Sequence, residues 1–254
     1  MAAPRIFTPE YYERMRTLER LGWWNAGMRD IAAMLLQDAG LPPAGDVLDV
    51  GCGSGQTMTW FLSLYAGWRA FGIDVAPDGV RAAHESGRSA CLASALSLPF
   101  APRSMDAVVS FDVLQHLPLD GGAAQALGEM RRVLKPGGHL LLRTNAQSFP
   151  RTADDPAYDF HKYTPGELRA CLTAAGFEVR RLSRANALLG LAEIPRELRA
   201  RRRGNGYQGL LASAGTRWTR ISDAKLRWLR LEGSLVRRGI VLPMGRTIVA
   251  LCRT

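Results

Sequence analysis

Lysine is almost absent from this chain. Lys135, Lys162 and Lys225 are the only three among 33 basic residues, so arginine carries the positive charge. Cysteine is sparse too. Cys52, Cys91, Cys171 and Cys252 are scattered with no Cys-x-x-Cys pair, which argues against a disulfide framework and against a zinc site. The reading is four reduced thiols and no metal. No apolar run approaches the ~20 residues that a membrane-spanning helix needs. Residues 1–16 carry charges of both signs and no apolar stretch, unlike a secretory signal. From these absences the expected location is cytoplasmic. Internal repeats and low-complexity tracts are also missing, which leaves a folded, non-repetitive chain.

What is present suffices for one sizeable core: 254 residues, 47% of them apolar. The net charge of +10 is unevenly placed. Residues 1–150 hold 13 basic and 14 acidic groups, whereas residues 151–254 hold 20 and 9. An arginine-heavy, Ala- and Gly-rich composition is what a GC-rich genome produces, and that explains part of the charge. The asymmetry points further, to an anionic partner for the C-terminal part: a phosphorylated substrate, an anionic membrane surface or nucleic acid.

Along the chain the periodicity predicts a helical segment over 5–40, with Leu18, Leu21, Met28, Ile31 and Leu35 at three-, four- and seven-residue steps. Strands are expected at Val47–Val50, Arg69–Val75, Ser89–Ala93, Asp106–Phe111, His139–Arg143, Phe177–Leu182 and Thr247–Leu251. Helices are expected at Thr57–Tyr65, from Pro77, over 120–134, and from the cap Thr164 to Ala174. Thr164 and Glu167 form a capping box and Gly176 ends that helix. Apolar strands alternating with helices imply a parallel sheet buried on both faces, whose ligands bind beyond the carboxyl ends of the strands.

The segment Val47-Leu48-Asp49-Val50-Gly51-Cys52-Gly53-Ser54-Gly55-Gln56 runs from a strand through a glycine loop into a helix. The glycines permit a tight turn and close approach of backbone to a ligand. Asp49 would repel a pyrophosphate and suits a ligand with an ammonium or sulfonium. Cys52 reads as a small residue in the turn rather than a nucleophile. In Phe71-Gly72-Ile73-Asp74-Val75, Asp74 ends the second strand, where an acid can accept both ribose hydroxyls of an adenosine.

Further blocks follow: Leu92-Ala93-Ser94-Ala95-Leu96-Ser97-Leu98-Pro99-Phe100, then Ser104 to Leu117, then Met130-Arg131-Arg132-Val133-Leu134-Lys135-Pro136-Gly137-Gly138 and Ala175-Gly176-Phe177-Glu178-Val179. From Val47 to about Val179 the chain resembles a class I S-adenosylmethionine-dependent methyltransferase of the bacterial small-molecule type. The resemblance implies an α/β fold: a Rossmann-like, seven-stranded, mostly parallel sheet with helices on both faces. It implies S-adenosylmethionine as cofactor, held by Asp49, Gly51, Cys52, Gly53, Gln56, Asp74, Val75, Ser94, Ala95, Leu96, Phe111 and His116. Within that set Asp49 would face the ammonium, Asp74 the ribose, and Val75, Ser94 and Ala95 the adenine. Ser94 departs from the family, which usually has an Asp there.

Transfer from a sulfonium needs an in-line acceptor and exclusion of water, plus a base where the acceptor holds its proton. His116 and His161 are the candidate bases; the alternatives are a histidine packed in the strand–helix turn and a loop-ordering hydrogen bond. Tyr12, Arg29, Tyr163 and Trp228 are candidate substrate contacts. Tyr11, Tyr12, Trp23 and Trp24 form either a lid or the apolar face of the first helix.

The organisation expected is an N-terminal helical cap over 1–44, a core over 45–186, a helical insertion over 187–246 and a last strand over 247–254. In the insertion, Trp218, Ile221, Ala224, Trp228, Leu231 and Leu235 make one apolar face, with Arg220, Arg227, Arg230 and Arg237 on another. A cap over the acceptor pocket is the first expectation; a dimer contact and a membrane-surface helix over 208–238 are the others. The expected partner is a small-molecule acceptor, with an anionic one suited to the charge, and the chain is a monomer or homodimer. The expected function is methyl transfer to oxygen, nitrogen or carbon of that molecule, as in secondary metabolism. The alternatives are an RNA or other nucleic-acid methyltransferase and a cofactor-binding regulator without catalysis. Nucleic acid is disfavoured, because neither an Asn/Asp-Pro-Pro-aromatic motif nor a Pro-Cys nucleophile is present.

Overall fold

The structure, a computed structural model, describes residues 22–147, 161–187 and 223–254. Its strands are β1 (Asp46–Val50), β2 (Arg69–Asp74), β3 (Ser89–Leu92), β4 (Met105–Phe111), β5 (Leu134–Asn145), β6 (Glu178–Ala185) and β7 (Thr247–Arg253). They form one seven-stranded sheet in the order β3-β2-β1-β4-β5-β7-β6. The pairings from β3 through β5 are parallel, and β7 runs antiparallel to both β5 and β6. The strand order reverses between β1 and β4, so the crevice at their carboxyl ends is the place for a ligand. The expected Rossmann-like class is the fold observed.

The central strands β1, β4, β5 and β7 are buried on both faces, and period-two alternation divides their residues between two cores, whereas the edge strand β3 is largely exposed. Helix α3 (Pro77–Glu85) joins β2 to β3. Leu48, Val50, Val108, Leu140 and Leu142 join one cluster with α4 (Gly122–Val133) and α5 (Pro165–Ala174). Val47, Ala107, Val109 and Leu141 join the other, with α1 (Trp23–Gln37), Phe61 of α2 (Gln56–Leu64) and α6 (Asp223–Arg237). The same alternation puts Asp49, Phe111 and Arg143 on the α1 side at the strand ends. The capping box of α5 is present, with Thr164 Oγ1 accepting from Glu167 N and the Glu167 carboxylate accepting from Thr164 N.

Two features depart most from expectation. The helix α4 stops at Val133 and β5 already begins at Leu134, so Lys135-Pro136-Gly137-Gly138 lies inside the strand. The register explains how: Met105 pairs with Leu134 and Ala107 with His139, so the Pro/Gly stretch bulges out of the ladder. The second difference is the buried face of α6. Leu226, Leu229 and Val236 are buried, whereas Trp228 and Leu231 are 36% and 49% exposed. The stripe expected to be buried therefore faces outward. The cause is its partner: α6 lies against α1, where Gly27 opens a seat for Leu229 and Gly233 lets Ile31 and Met34 approach. Arg230–Asp30 and Arg237–Asp38 ion pairs, at 2.6 and 2.9 Å, fasten the two helices.

So the described part of the insertion packs Leu226, Leu229 and Val236 toward α1, and the Trp228/Leu231 face expected to be buried over the acceptor cleft is exposed instead. Trp218, Ile221 and Arg220 lie outside the described residues, as do 1–21 of the expected cap and 188–222 of the expected insertion. The helix stretch of 208–238 that is described contains an exposed Trp/Leu stripe. Among the described residues no helix is long and apolar enough to cross a membrane.

Candidate functional site

The glycine loop is tied to β2 by backbone. Gly51 N and Cys52 N both donate to Ile73 O at 2.8 Å, and Gly53 N donates to Asp74 Oδ2 at 2.9 Å. The other oxygen of Asp74 accepts from Ala76 N at 2.9 Å. Two motifs read separately in the sequence are thus one structure: a buried carboxylate pins the loop beside it. Gly51, Gly53 and Gly55 have φ of 80°, 48° and 78°, the left-handed region that glycine enters without a Cβ penalty. A Cβ at Gly51 would also overlap Val113 Cγ2, so the loop after β4 closes directly onto the glycine turn. Gly51→Ala is expected to destabilise the protein by about 1–3 kcal/mol and to weaken binding of S-adenosylhomocysteine. Thermal-shift titration checks this. Adding Val113→Ala should restore part of the stability, and no gain from that second change would refute the overlap.

These residues fit S-adenosylmethionine. A carboxylate oxygen has capacity for more than one donor, so Asp74 can hold Gly53 and Ala76 and still accept ribose hydroxyls. Beside it Val75 is 53% exposed, an apolar surface at the strand end suited to a purine ring. Gln56 opens α2 directly after Gly55. Asp49 is buried on the same side, at the end of β1. Cys52 contributes only backbone: its Sγ packs toward Gly72 and Met58. Burial, with Asp49 and Asp74 nearby, pushes its thiol far above the ordinary cysteine range, so it stays protonated and is no nucleophile. Ser94 Oγ accepts from Leu96 N at 3.1 Å, which shapes the turn in which Ala95 is buried. A hydroxyl spent in this way still has its own proton to donate.

The end of β4 carries a cluster that sequence reasoning missed. Arg143, at the end of β5, is buried and donates through Nε and Nη2 to Asp112 Oδ2 at 3.0 and 2.5 Å. Its guanidinium lies 4.6 Å from the Phe111 ring centre and 4.9 Å from that of Trp24 on α1. Trp60 approaches Phe111 at 6.1 Å. Asp112 itself adopts φ 59°, in the left-handed region that Asp tolerates better than most residues. Because Val113 touches the glycine turn, this bracket stands one residue from the cofactor loop. The available signal was a lone arginine at the end of Leu140-Leu141-Leu142, which a buried strand does not carry without a partner.

His116 and His161 are brought to one place. His161 N donates to Gln115 O at 3.0 Å, so the segment after β5 is stitched to the turn Leu114–His116. Gln115, buried, accepts through Oε1 from Thr144 Oγ1 and Asn145 N. Sequence reasoning passed over Gln115 as well. Tyr163 braces the same turn from below, donating its hydroxyl to Leu114 O at 3.4 Å, and its ring meets His161 edge-on at 4.4 Å. It is a core residue, and burial pushes its hydroxyl up to about 12. That corrects its assignment as a substrate contact: the side chain is consumed in holding the turn.

Of the other expected contacts, Tyr12 and Tyr11 lie outside the described residues. Arg29 stands half-buried on α1. Trp228 donates its indole N–H to Glu232 Oε1 at 2.8 Å, and Glu232 also accepts from Ala187 N at the end of β6. Trp23 is buried under α6, with Lys225 above its ring, so it belongs to the helix face rather than a lid. Trp24 alone of the described aromatics in that group reaches the strand ends. No group of His, Cys, Asp and Glu able to hold a metal occurs among the described residues.

Residues 48–142 match the model of a family described as a methyltransferase domain. A protein of Mycolicibacterium smegmatis named "Probable S-adenosylmethionine-dependent methyltransferase" is 34% identical over 156 residues, covering 59% of this chain and 58% of that protein. The tRNA (carboxymethyluridine(34)-5-O)-methyltransferase of Arabidopsis thaliana is 32% identical over 102 residues, covering 40% and 24%. The chain thus spans less than two thirds of either relative. Among solved structures, phosphoethanolamine N-methyltransferase 2 of Haemonchus contortus, in complex with S-adenosyl-L-methionine, superposes with a TM-score of 0.61 at 16% identity, over 98% of this chain and 58% of that one. At that identity the likeness is one of fold. With the strand order, the glycine loop pinned by Asp74 and the family match in agreement, residues 48–142 are a class I S-adenosylmethionine-dependent methyltransferase domain, whose cofactor is S-adenosylmethionine.

Proposed function

We propose that the chain transfers the methyl group of S-adenosylmethionine to an oxygen, nitrogen or carbon of a small molecule. The observation that supports this best is the stitched turn after β4: the backbone bond from His161 N to Gln115 O joins the segment carrying His161 to the turn carrying His116, next to the loop that closes on the glycine turn. The cofactor supplies a methyl already activated on a sulfonium. The chain's own part is positional. The glycine turn and Asp74 fix the cofactor end, and Val113 and Phe111 wall the crevice against water. His116 or His161 takes a proton from a hydroxyl or protonated amine acceptor; a carbon or neutral amine acceptor needs none.

A screen of small hydroxylated, amino and enolisable compounds, followed by release of S-adenosylhomocysteine, tests this. With an acceptor found, the true base changed to Ala should lower the rate by about 10²–10⁴-fold, flatten the pH–rate profile near neutrality and leave cofactor affinity nearly unchanged. Full activity in His116→Ala, His161→Ala and the double variant would end the general-base assignment.

A second reading is favoured by two observations: the name of the Arabidopsis relative and the basic surplus after residue 150. It makes RNA the acceptor. Binding of bulk tRNA that falls steeply with salt, together with methylation of that RNA, would support it over a small acceptor.

A further inference from the structure

Away from the glycine turn, at the edge where β4 and β5 begin, a cavity of about 550 Å³ opens in the surface. That size is within the range of sites that take small organic ligands. Pro102, Leu134 and Pro136 give it apolar walls, and Arg103, Arg131 and Arg132 line it with guanidinium groups. The three arginines are not equivalent. Arg132 is fully engaged, with Glu129, Leu98 O and Phe100 O around its guanidinium. Glu129, the acid beside it, is spent in the same network, and Arg132 holds its carboxyl below the usual carboxylate range. Arg131 gives only its Nε, to Gly176 O, and its terminal nitrogens have no partner among the described residues. The Arg103 side chain is exposed and has none among them either.

Arg103 is also held in an unfavoured backbone conformation. Its φ is 54°, a region a bulky residue rarely occupies, where Gly or Asn would fit with less strain. The loop is braced on either side of its Cα: Arg103 N donates to Arg132 O, and Ser104 N to Val133 O, both at 2.9 Å. The chain therefore fixes an arginine at the mouth of a cavity in a geometry that its own packing does not use. Two forked donors whose ends meet no partner among the described residues, set above apolar walls, match a planar or apolar body bearing a phosphate or carboxylate.

We propose that this cavity is a second ligand site, separate from the methyl-transfer crevice, which takes a small phosphate monoester of nucleotide size through Arg103 and Arg131. The phosphate meets the two guanidiniums, and the body lies on Pro102, Leu134 and Pro136. Charge and cavity sit at the start of β4 and β5, whereas the cofactor loop is tied to their far ends, so both sites can fill at once.

The test uses the full chain saturated with S-adenosylhomocysteine, which blocks the adenosine site, and uridine 5′-monophosphate as the probe in calorimetry. Binding is expected, weakened about tenfold or more by Arg103→Glu and by Arg131→Gln, with S-adenosylhomocysteine affinity unchanged in both. Arg103→Glu is the decisive variant, because an exposed side chain with no partner among the described residues can be replaced without loss of fold; its thermal midpoint checks that. Uridine alone should bind more weakly than the monophosphate, and so should inorganic phosphate. No heat of binding at about 10 mM probe, equal affinity in Arg103→Glu, or equal affinity for inorganic phosphate each overturn the proposal. So does loss of probe binding on adding S-adenosylhomocysteine, which would place the probe in the first site.

Discussion

Asp74→Ala is expected to raise the dissociation constant for S-adenosylhomocysteine by about 100-fold, a loss of about 3 kcal/mol. The residue has two duties. Its carboxylate accepts from Gly53 N and Ala76 N, and so fixes the glycine turn. The resemblance to class I methyltransferases adds the ribose hydroxyls. Each hydrogen bond to a charged group contributes about 1.5–3 kcal/mol, and the variant loses the pinning of the turn along with the ligand contact. Asp74→Asn separates the two. One amide oxygen can still serve one backbone N–H, while the amide nitrogen faces a donor and cannot accept. An intermediate affinity is therefore expected. Calorimetry on folded protein, checked by circular dichroism, decides the matter; wild-type affinity in Asp74→Ala would remove the ribose role.

Arg143→Ala is expected to cost about 3–4 kcal/mol of stability, because it strands Asp112 in a partly buried site and removes a cation from between two rings. The arginine side chain is 9% exposed and the aspartate 28%, so solvent screens this pair only in part. The double variant Arg143→Met/Asp112→Asn removes both charges and keeps the volume, and should recover most of the loss. Urea unfolding of the wild type, the two single variants and the double gives a cycle. A coupling of about 1 kcal/mol or more supports the bracket, and simple additivity refutes it. Since Trp24 belongs to α1 and Phe111 to β4, the same variant should also loosen α1 from the strand ends. Faster hydrogen exchange in the first turn of α1 would report that loosening.

The site was legible where its signals are local. The turn Gly51–Gly55 and Asp74 each announce themselves within a few residues, and the alternation of apolar strands with helices fixes which end of the sheet they occupy. What the residues did not disclose was that Asp74 also holds Gly53, since that bond joins positions 21 apart. Arg143 escaped notice for a similar reason: its partners, Trp24, Phe111 and Asp112, meet only when α1 docks on the sheet. Tyr163 was misread because an aromatic hydroxyl beside a histidine looks alike whether it faces a cleft or a core. The face of α6 was misjudged because two stripes were available. The glycines Gly27 and Gly233 decided between them, and a packing seat so far away along the chain carries no periodic signal. Lys135-Pro136-Gly137-Gly138 reads as a helix stop, as it is, but its absorption into β5 depends on the partner strand.

The pairing of α1 with α6 has a consequence for how the chain is made. Asp30 and Arg230 meet across 200 residues of sequence. At about 5–20 residues per second, a ribosome needs on the order of 10–40 s to supply the second helix after the first has emerged. During that interval Gly27 and the side chains around it have no partner to receive, and the nascent chain presents an unclosed helix face. Completion of the last strand and arrival of α6 come almost together, so the flank of the molecule seals in one late event. Substitutions at Gly27 or Leu229 should accordingly act on yield in the cell more strongly than their effect on the finished protein would suggest, through capture of the waiting face by chaperones and proteases.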